Sequence, residues 1–150
     1  MRNEVKNMRI LVDADACPVK KIIVDLAKEN NLEVIMFFDN AHVYEDGYSK
    51  VYIIDKGADS VDYFLINRAL PNDIVVTGDY GLASMALAKK TYPISPRGLI
   101  YTEDNIMGLL NQRAFSQKVR KHRNLKGPKK RVSNDDEKFR YSLNVIISNK

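Results

Sequence analysis

The chain has 150 residues, 45% of them hydrophobic and 29% charged, which suits one globular domain with enough apolar material for a core. No apolar run approaches the roughly 18 to 20 residues that cross a bilayer, "MRNEVKNMRI" lacks the apolar centre of a signal peptide, and one cysteine excludes a disulfide framework or a multi-cysteine zinc cage. The net charge of +5 is uneven: nine basic residues and no acid fall between Arg113 and Arg131, leaving 15 basic residues against 19 acidic ones elsewhere. A cytoplasmic protein with no membrane partner is the expectation.

Taken in chain order, short β-branched runs alternate with amphipathic ones. "MRILVD" (8–13), "LEVIMFF" (32–38), "KVYII" (50–54) and "DIVVT" (73–77) are bounded by turn residues and read as strands. Their near-continuous apolarity fits parallel strands covered on both faces. "PVKKIIVDLAKENN" reads as a helix with Pro18 at its first position and Val19, Ile22, Ile23, Leu26 and Ala27 on one face. "DSVDYFLINRAL" and "YGLASMALAKK" read as two more, the second with lysines in its last turn. The prolines of "YPISPRGLIY" restrict that run to an edge strand. "TEDNIMGLLNQR" is a further helix with Thr102 as a candidate cap, and a closing helix over about 136–148 carries Phe139, Leu143, Ile146 and Ile147 at helical spacing, so it is expected to pack back on the body. The alternation predicts a single domain, a three-layer α/β/α sandwich with a mostly parallel sheet.

Ligand sites in open parallel sheets form at the carboxyl ends of strands. Asp13 and Asp15 close the first strand, Asp79 follows the fourth, Asp59 and Asp62 share a face of the second helix, and Asp104 opens a later helix. Carboxylates brought together repel unless a cation sits among them, and hard oxygen donors suit Mg²⁺ or Mn²⁺. Such an ion activates water against a phosphodiester and stabilises the leaving oxygen. Each acid also has a plain structural alternative. Asp59 and Asp62 suit a helix cap, Asp15 a cap or a turn, Asp79 an Asx-turn in "TGDYG", and Asp104 a helix amino terminus. Asp13, at the end of a buried strand, has the fewest such excuses.

The blocks "ILVDADACP", "KGADSVDYFLINRA", "DIVVTGDYGLA" and "SPRGLIYTEDNI" resemble, in this order, the signatures of the YaiI/YqxD family of bacterial proteins, from about residue 8 to the end. The resemblance implies a fold similar to PIN and NYN nucleases, with acids at one sheet edge. It aligns Asp13, Asp62 and Asp79 with the acids of PIN-type sites, "TGD" (77–79) with their Thr-x-Asp turn, and Asp104 with the fourth acid. Folds of this kind include inactive members, so a non-catalytic nucleic-acid-binding protein is the second reading.

Cys17, followed by Pro18, has neither the arginine of a phosphatase loop, since Ile23 stands there, nor a partner cysteine, which favours a small buried hydrophobe. "DADAC" shares the Asp-x-Asp opening of haloacid-dehalogenase phosphatases but has Cys17 in the threonine's place, leaving a small-molecule phosphatase as the weakest reading. Asn40 and His42 lie in the connection after the second strand, and Arg68 suits either a phosphate or a surface ion pair. The basic segment is either a solvated charged stretch or a surface for a phosphate backbone. On the second view Arg97, Arg113, Lys118, Arg120, Lys121, Arg123, Lys129, Lys130 and Arg131 hold nucleic acid. The expectation is a Mg²⁺- or Mn²⁺-dependent phosphodiesterase acting on RNA. Asp13, Asp62, Asp79 and Asp104 are the metal-ligand candidates, with Asp15 supporting catalysis. RNA over DNA follows from the resemblance alone.

Overall fold

The computed structural model describes residues 8–39, 44–54, 60–123, 131 and 133–149; the side chains of 60, 115–123 and 133 lie outside that description. Five strands form one sheet: β1 (Arg9–Asp13), β2 (Glu33–Phe38), β3 (Lys50–Ile53), β4 (Ile74–Val76) and β5 (Tyr92–Ile94). Their order is β3-β2-β1-β4-β5 and every pairing is parallel. β1 is central, with Val12 opposite Met36 on one side and Val76 on the other. The proline-bearing β5 stands at an edge, where a missing N–H costs the ladder least.

Side-chain alternation along the strands sorts the core into two layers. On one face Ile10, Val12, Val34, Met36, Phe38, Ile74, Val76 and Ile94 pack with helix α1 (Lys20–Asn30) and helix α5 (Ser133–Ser148). α5 supplies Phe139, Leu143, Ile146 and Ile147 to this layer. On the other face Leu11, Ile35, Phe37 and Val75 meet Leu65 and Ala69 of the α2 segment (helix Ser60–Arg68) and Leu82 and Ala86 of α3 (Tyr80–Ala88). Helix α4 (Glu103–Arg123) lies outside α3, joined through Ala83, Tyr101 and Ile106. The result is an α/β/α sandwich.

Several boundaries differ from the sequence reading. α1 begins at Lys20: a turn over residues 14–17, closed by the Cys17 N–H on the Ala14 carbonyl, precedes Pro18, and Val19 is the N-cap, its carbonyl accepting from the Ile23 N–H. α3 stops at Ala88, so Lys89 and Lys90 follow its last turn. α4 does have Thr102 at its start: its hydroxyl accepts from the Asn105 N–H at 3.2 Å while the Asn105 side chain accepts from the Thr102 N–H at 2.9 Å. That reciprocal pair is a capping box with Asn in place of Glu. The helix then continues to Arg123, taking in the first part of the basic segment. α5 begins at Ser133, three residues ahead of the expected start.

An ion pair pins the amino edge of the sheet. Asp73, 1% exposed, accepts from Arg9 Nε at 3.2 Å, from Arg9 Nη2 at 2.6 Å, and from the amides of Arg9 and Leu70. The same Arg9 Nη2 donates to the Arg68 carbonyl, tying the end of α2 to β1.

Asp46 organises the approach to β3. It accepts from the backbone of Tyr48 and Ser49, from the Ser49 hydroxyl, and from the Tyr44 hydroxyl at 2.6 Å. Burial alone would raise its pKa, but these donors outweigh it and hold the carboxyl at about 2. Because the folded pKa is lowered, the turn's contribution to stability is present above the ordinary carboxylate range and lost as pH falls toward 2. Asp46→Asn is therefore expected to lower the melting temperature at pH 7, with the difference closing between about pH 4 and pH 2 in a series of thermal melts.

Candidate active site at the carboxyl edge of the sheet

After β1 the chain builds strands to one side, and β4 and β5 add on the other. The β1–β4 boundary is thus the switch point where a doubly wound sheet leaves a crevice at its carboxyl edge. Asp13 is the last residue of β1, and Thr77, Gly78 and Asp79 follow β4 directly.

One hydroxyl joins the two strand ends. The buried Thr77 Oγ1 donates to Asp13 Oδ2 at 2.8 Å and accepts the Asp79 N–H at 3.0 Å. With a lone pair taken by Asp79, the hydroxyl hydrogen is directed at Asp13, which fixes that carboxylate 64 residues away in sequence. Thr77 is itself anchored: its N–H donates to the Ile94 carbonyl, and its carbonyl accepts from the buried Tyr101 hydroxyl at 3.1 Å.

Burial raises the pKa of Asp13, the Thr77 hydrogen bond opposes that, and the charges of Asp79, Asp15 and Asp39 raise it further. Among the described residues no Lys, Arg or His pairs with Asp13. Asp15 does not cap α1, whose start has no side-chain cap; its Oδ2 accepts the Asp39 N–H at 2.7 Å and ties the β1 turn to the end of β2. Asp39 was missed in the sequence, although it follows β2 as Asp15 follows β1, and the same strand-end rule would have found it.

Asp79 is the N-cap of α3. Its Oδ1 accepts from the amides of Gly81 at 2.8 Å and Leu82 at 3.2 Å, and Arg113 Nη1 stands 3.7 Å away. The expected Asx-turn is present in the bond from the Gly81 amide two residues on, and the further bond from Leu82 makes the same carboxylate the N-cap of α3. Of the expected acids, Asp15 and Asp79 are the ones whose charges bear on Asp13 at this edge. Asp62, in the first turn of α2, and Asp104, exposed in the first turn of α4, are not among the carboxylates that shift Asp13.

The donor set at the edge is oxygen only, which suits a hard cation. Among the described residues no three His, Cys, Asp or Glu side chains lie close enough to enclose a metal ion. Mg²⁺ does not need such a cage: it keeps several waters and binds through one or two carboxylates, with substrate phosphates completing its shell. Asp13 with Asp79 or Asp15 is a set of that kind.

Cys17 is buried in the α1 layer, and desolvation pushes its thiol pKa up. It is a small core residue, as expected, with none of the thiolate character of a nucleophile. Arg68 is occupied by aromatic stacking, its guanidinium 3.7 Å from the Phe64 ring centre and 4.9 Å from that of Tyr52. Arg97 lies after β5 at the same carboxyl edge, 3.7 Å from Asp135. Arg131 pairs with Asp136 at 2.7 Å. The side chains of Lys118, Arg120, Lys121 and Arg123 lie outside the described residues, as do Asn40, His42, Asp59, Lys129 and Lys130 entirely.

Fold and site together define a doubly wound α/β/α protein with carboxylates gathered at its switch point. Residues 11–149 match the family model described as "Uncharacterized BCR, YaiI/YqxD family", and the chain belongs to that family. It is 50% identical over 144 residues to the UPF0178 protein of Lachnoclostridium phytofermentans, covering 93% of this chain and 97% of that one. It is 46% identical over 143 residues to the UPF0178 protein of Clostridium kluyveri, covering 95% and 94%. With that of Ruminiclostridium cellulolyticum the identity is 48% over 141 residues, covering 93% and 92%. No solved structure matches significantly. No helix among the described residues is long and apolar enough to cross a membrane.

Proposed function

We propose that this protein is a Mg²⁺- or Mn²⁺-dependent phosphodiesterase acting on RNA at the β1–β4 crevice. The observation that carries the reading is Asp13: a half-buried carboxylate, aimed by Thr77, within the field of the Asp79, Asp15 and Asp39 charges and paired with no described cation. Such an arrangement works against folding and suits the capture of a positive ion. Asp13 and Asp79 would hold the ion, with Asp15 in support. When bound, a divalent ion supplies Lewis-acid stabilisation of the phosphodiester and a water of lowered pKa.

The chain's own residues have distinct parts. Thr77 orients Asp13. Arg113 of α4, which stands beside Asp79, would meet a phosphate at the rim of the crevice. Lys118, Arg120, Lys121 and Arg123 continue along the same helix in sequence, giving a salt-sensitive backbone contact without base specificity. A second reading, nucleic-acid binding without catalysis, is favoured by one observation: Asp79 Oδ1 already serves two amides and lies near Arg113.

Incubation of the chain with mixed-sequence RNA in Mn²⁺ and in EDTA separates the two. Cleavage that requires the metal is expected. Tight binding that weakens steeply with salt, with the RNA intact in Mn²⁺, would assign the chain to the second reading.

A further inference from the structure

The loop after β5 and the outer face of α5 form an open cavity of about 320 Å³, lined by Arg97, Gly98, Leu99, Lys138, Tyr141 and Ser142. Its floor is a tight joint. Ser142 Oγ donates to the Gly98 carbonyl at 2.6 Å, and a Cβ at Gly98 would stand 2.8 Å from the Lys138 carbonyl carbon and oxygen. Gly98 also has a φ of +94°, so glycine is required here on both counts. The joint holds the loop directly on the helix that carries Lys138 and Tyr141.

The chemistry on this floor is specific. The Tyr141 ring is 72% exposed and Leu99 41% exposed, which leaves an aromatic face and an apolar edge in solvent. Two cations stand beside them. Arg97 also lies near Asp135, whereas Lys138 makes no ion pair among the described residues. Aromatic faces flanked by cations are how proteins hold single-stranded nucleic acid, by base stacking together with phosphate contact. The volume is at the small end for ligand sites and suits one nucleotide rather than a duplex. The loop follows β5 at the carboxyl edge, and β5 lies two strand spacings, about 10 Å, from β1 and Asp13.

We infer that this cavity takes one nucleotide of single-stranded RNA, the base stacked on Tyr141 and the phosphate held by Lys138 and Arg97. The inference deepens the phosphodiesterase reading, because it names single-stranded RNA as the substrate class, and it rests on that reading for the choice of RNA.

The test is fluorescence anisotropy of a labelled single-stranded oligouridylate, and of a labelled RNA duplex, in EDTA so that cleavage plays no part. Tyr141→Ala is expected to weaken single-strand binding about tenfold, within the range for loss of one stacked base. Tyr141→Phe is expected to bind as wild type, and duplex binding is expected to change little in either variant. Lys138→Gln is expected to weaken binding severalfold and reduce the salt slope by about one. Tyr141 is exposed, so circular dichroism should show these variants folded. Equal single-strand affinity for wild type and Tyr141→Ala would overturn the inference, as would equal losses on duplex and single strand. Mn²⁺-dependent cleavage retained beside such a result would leave the phosphodiesterase standing without this cavity. A Tyr141-dependent affinity with no cleavage would keep the cavity and remove the catalysis.

Discussion

Asp13→Asn is expected to reduce Mn²⁺-dependent RNA cleavage by roughly a hundredfold or more, since loss of a ligand costs at least as much as the upper end for loss of a group that only supports one, while making the folded chain more stable. Asn keeps an oxygen that accepts from Thr77 Oγ1, so the β1–β4 link survives. What disappears is a desolvated negative charge among Asp79, Asp15 and Asp39. The gain at pH 7 should be on the order of 1 kcal/mol, a common size when a functional residue is replaced, or about 2–4 °C in Tm for a chain of this length. The pH dependence follows from the direction of the shift. Asp13 has a raised pKa in the folded state, so its ionisation weakens the fold as pH climbs through that value. The difference between the two chains should thus be full at neutral pH and disappear as pH falls into the ordinary carboxylate range. Saturating Mn²⁺ should raise the Tm of wild type and leave Asp13→Asn unmoved. A variant that cleaves as wild type would end the assignment of Asp13.

Asp73→Ala is expected to have the largest effect on stability, about 3 kcal/mol, the lower end for breaking a buried pair because Arg9 retains some access to solvent. The loss also strands the amides of Arg9 and Leu70, both of which donate to this carboxylate. In a thermal melt that is a fall of roughly 10 °C. Asp73→Asn keeps one acceptor oxygen for these amides and should lose less. The pair lies at the amino edge, with the length of the strands between it and Asp13. Cleavage per folded molecule should therefore be unchanged in both variants.

β1, β2 and β4 were legible because each is a short apolar run whose two faces are both covered, so no polar residue interrupts it; β3, an edge strand with Lys50 and Ile53 exposed, was legible from its β-branched and aromatic residues alone. The edge position of β5 was legible from Pro93 for the same kind of local reason. Helix ends were harder. Pro18 has the right φ for a first turn, but the backbone closes back on Ala14 before α1 begins. The helix read over "TEDNIMGLLNQR" stopped at Arg113, yet Lys, Arg and Gln are good helix formers and α4 runs on through the first basic residues to Arg123.

At the site, strand-end position alone was enough to pick out Asp13, Asp15 and Asp79. It could not reveal which donor each would find. Asp79 takes amides two and three residues onward, a local choice, whereas the Thr77 link to Asp13 depends on β1 and β4 lying side by side. The Arg9–Asp73 fork and the Tyr101 hydroxyl under Thr77 are equally products of strand order and helix packing. Pairings set by tertiary neighbours leave no periodicity in the chain.

Calorimetric titration of Mn²⁺ into the wild-type chain and into Asp13→Asn is the most direct measurement of whether these carboxylates bind a cation. A saturable heat in wild type that is absent from Asp13→Asn is the expected result. Equal heats from both chains, or no heat from either, would contradict a metal site at the β1–β4 crevice.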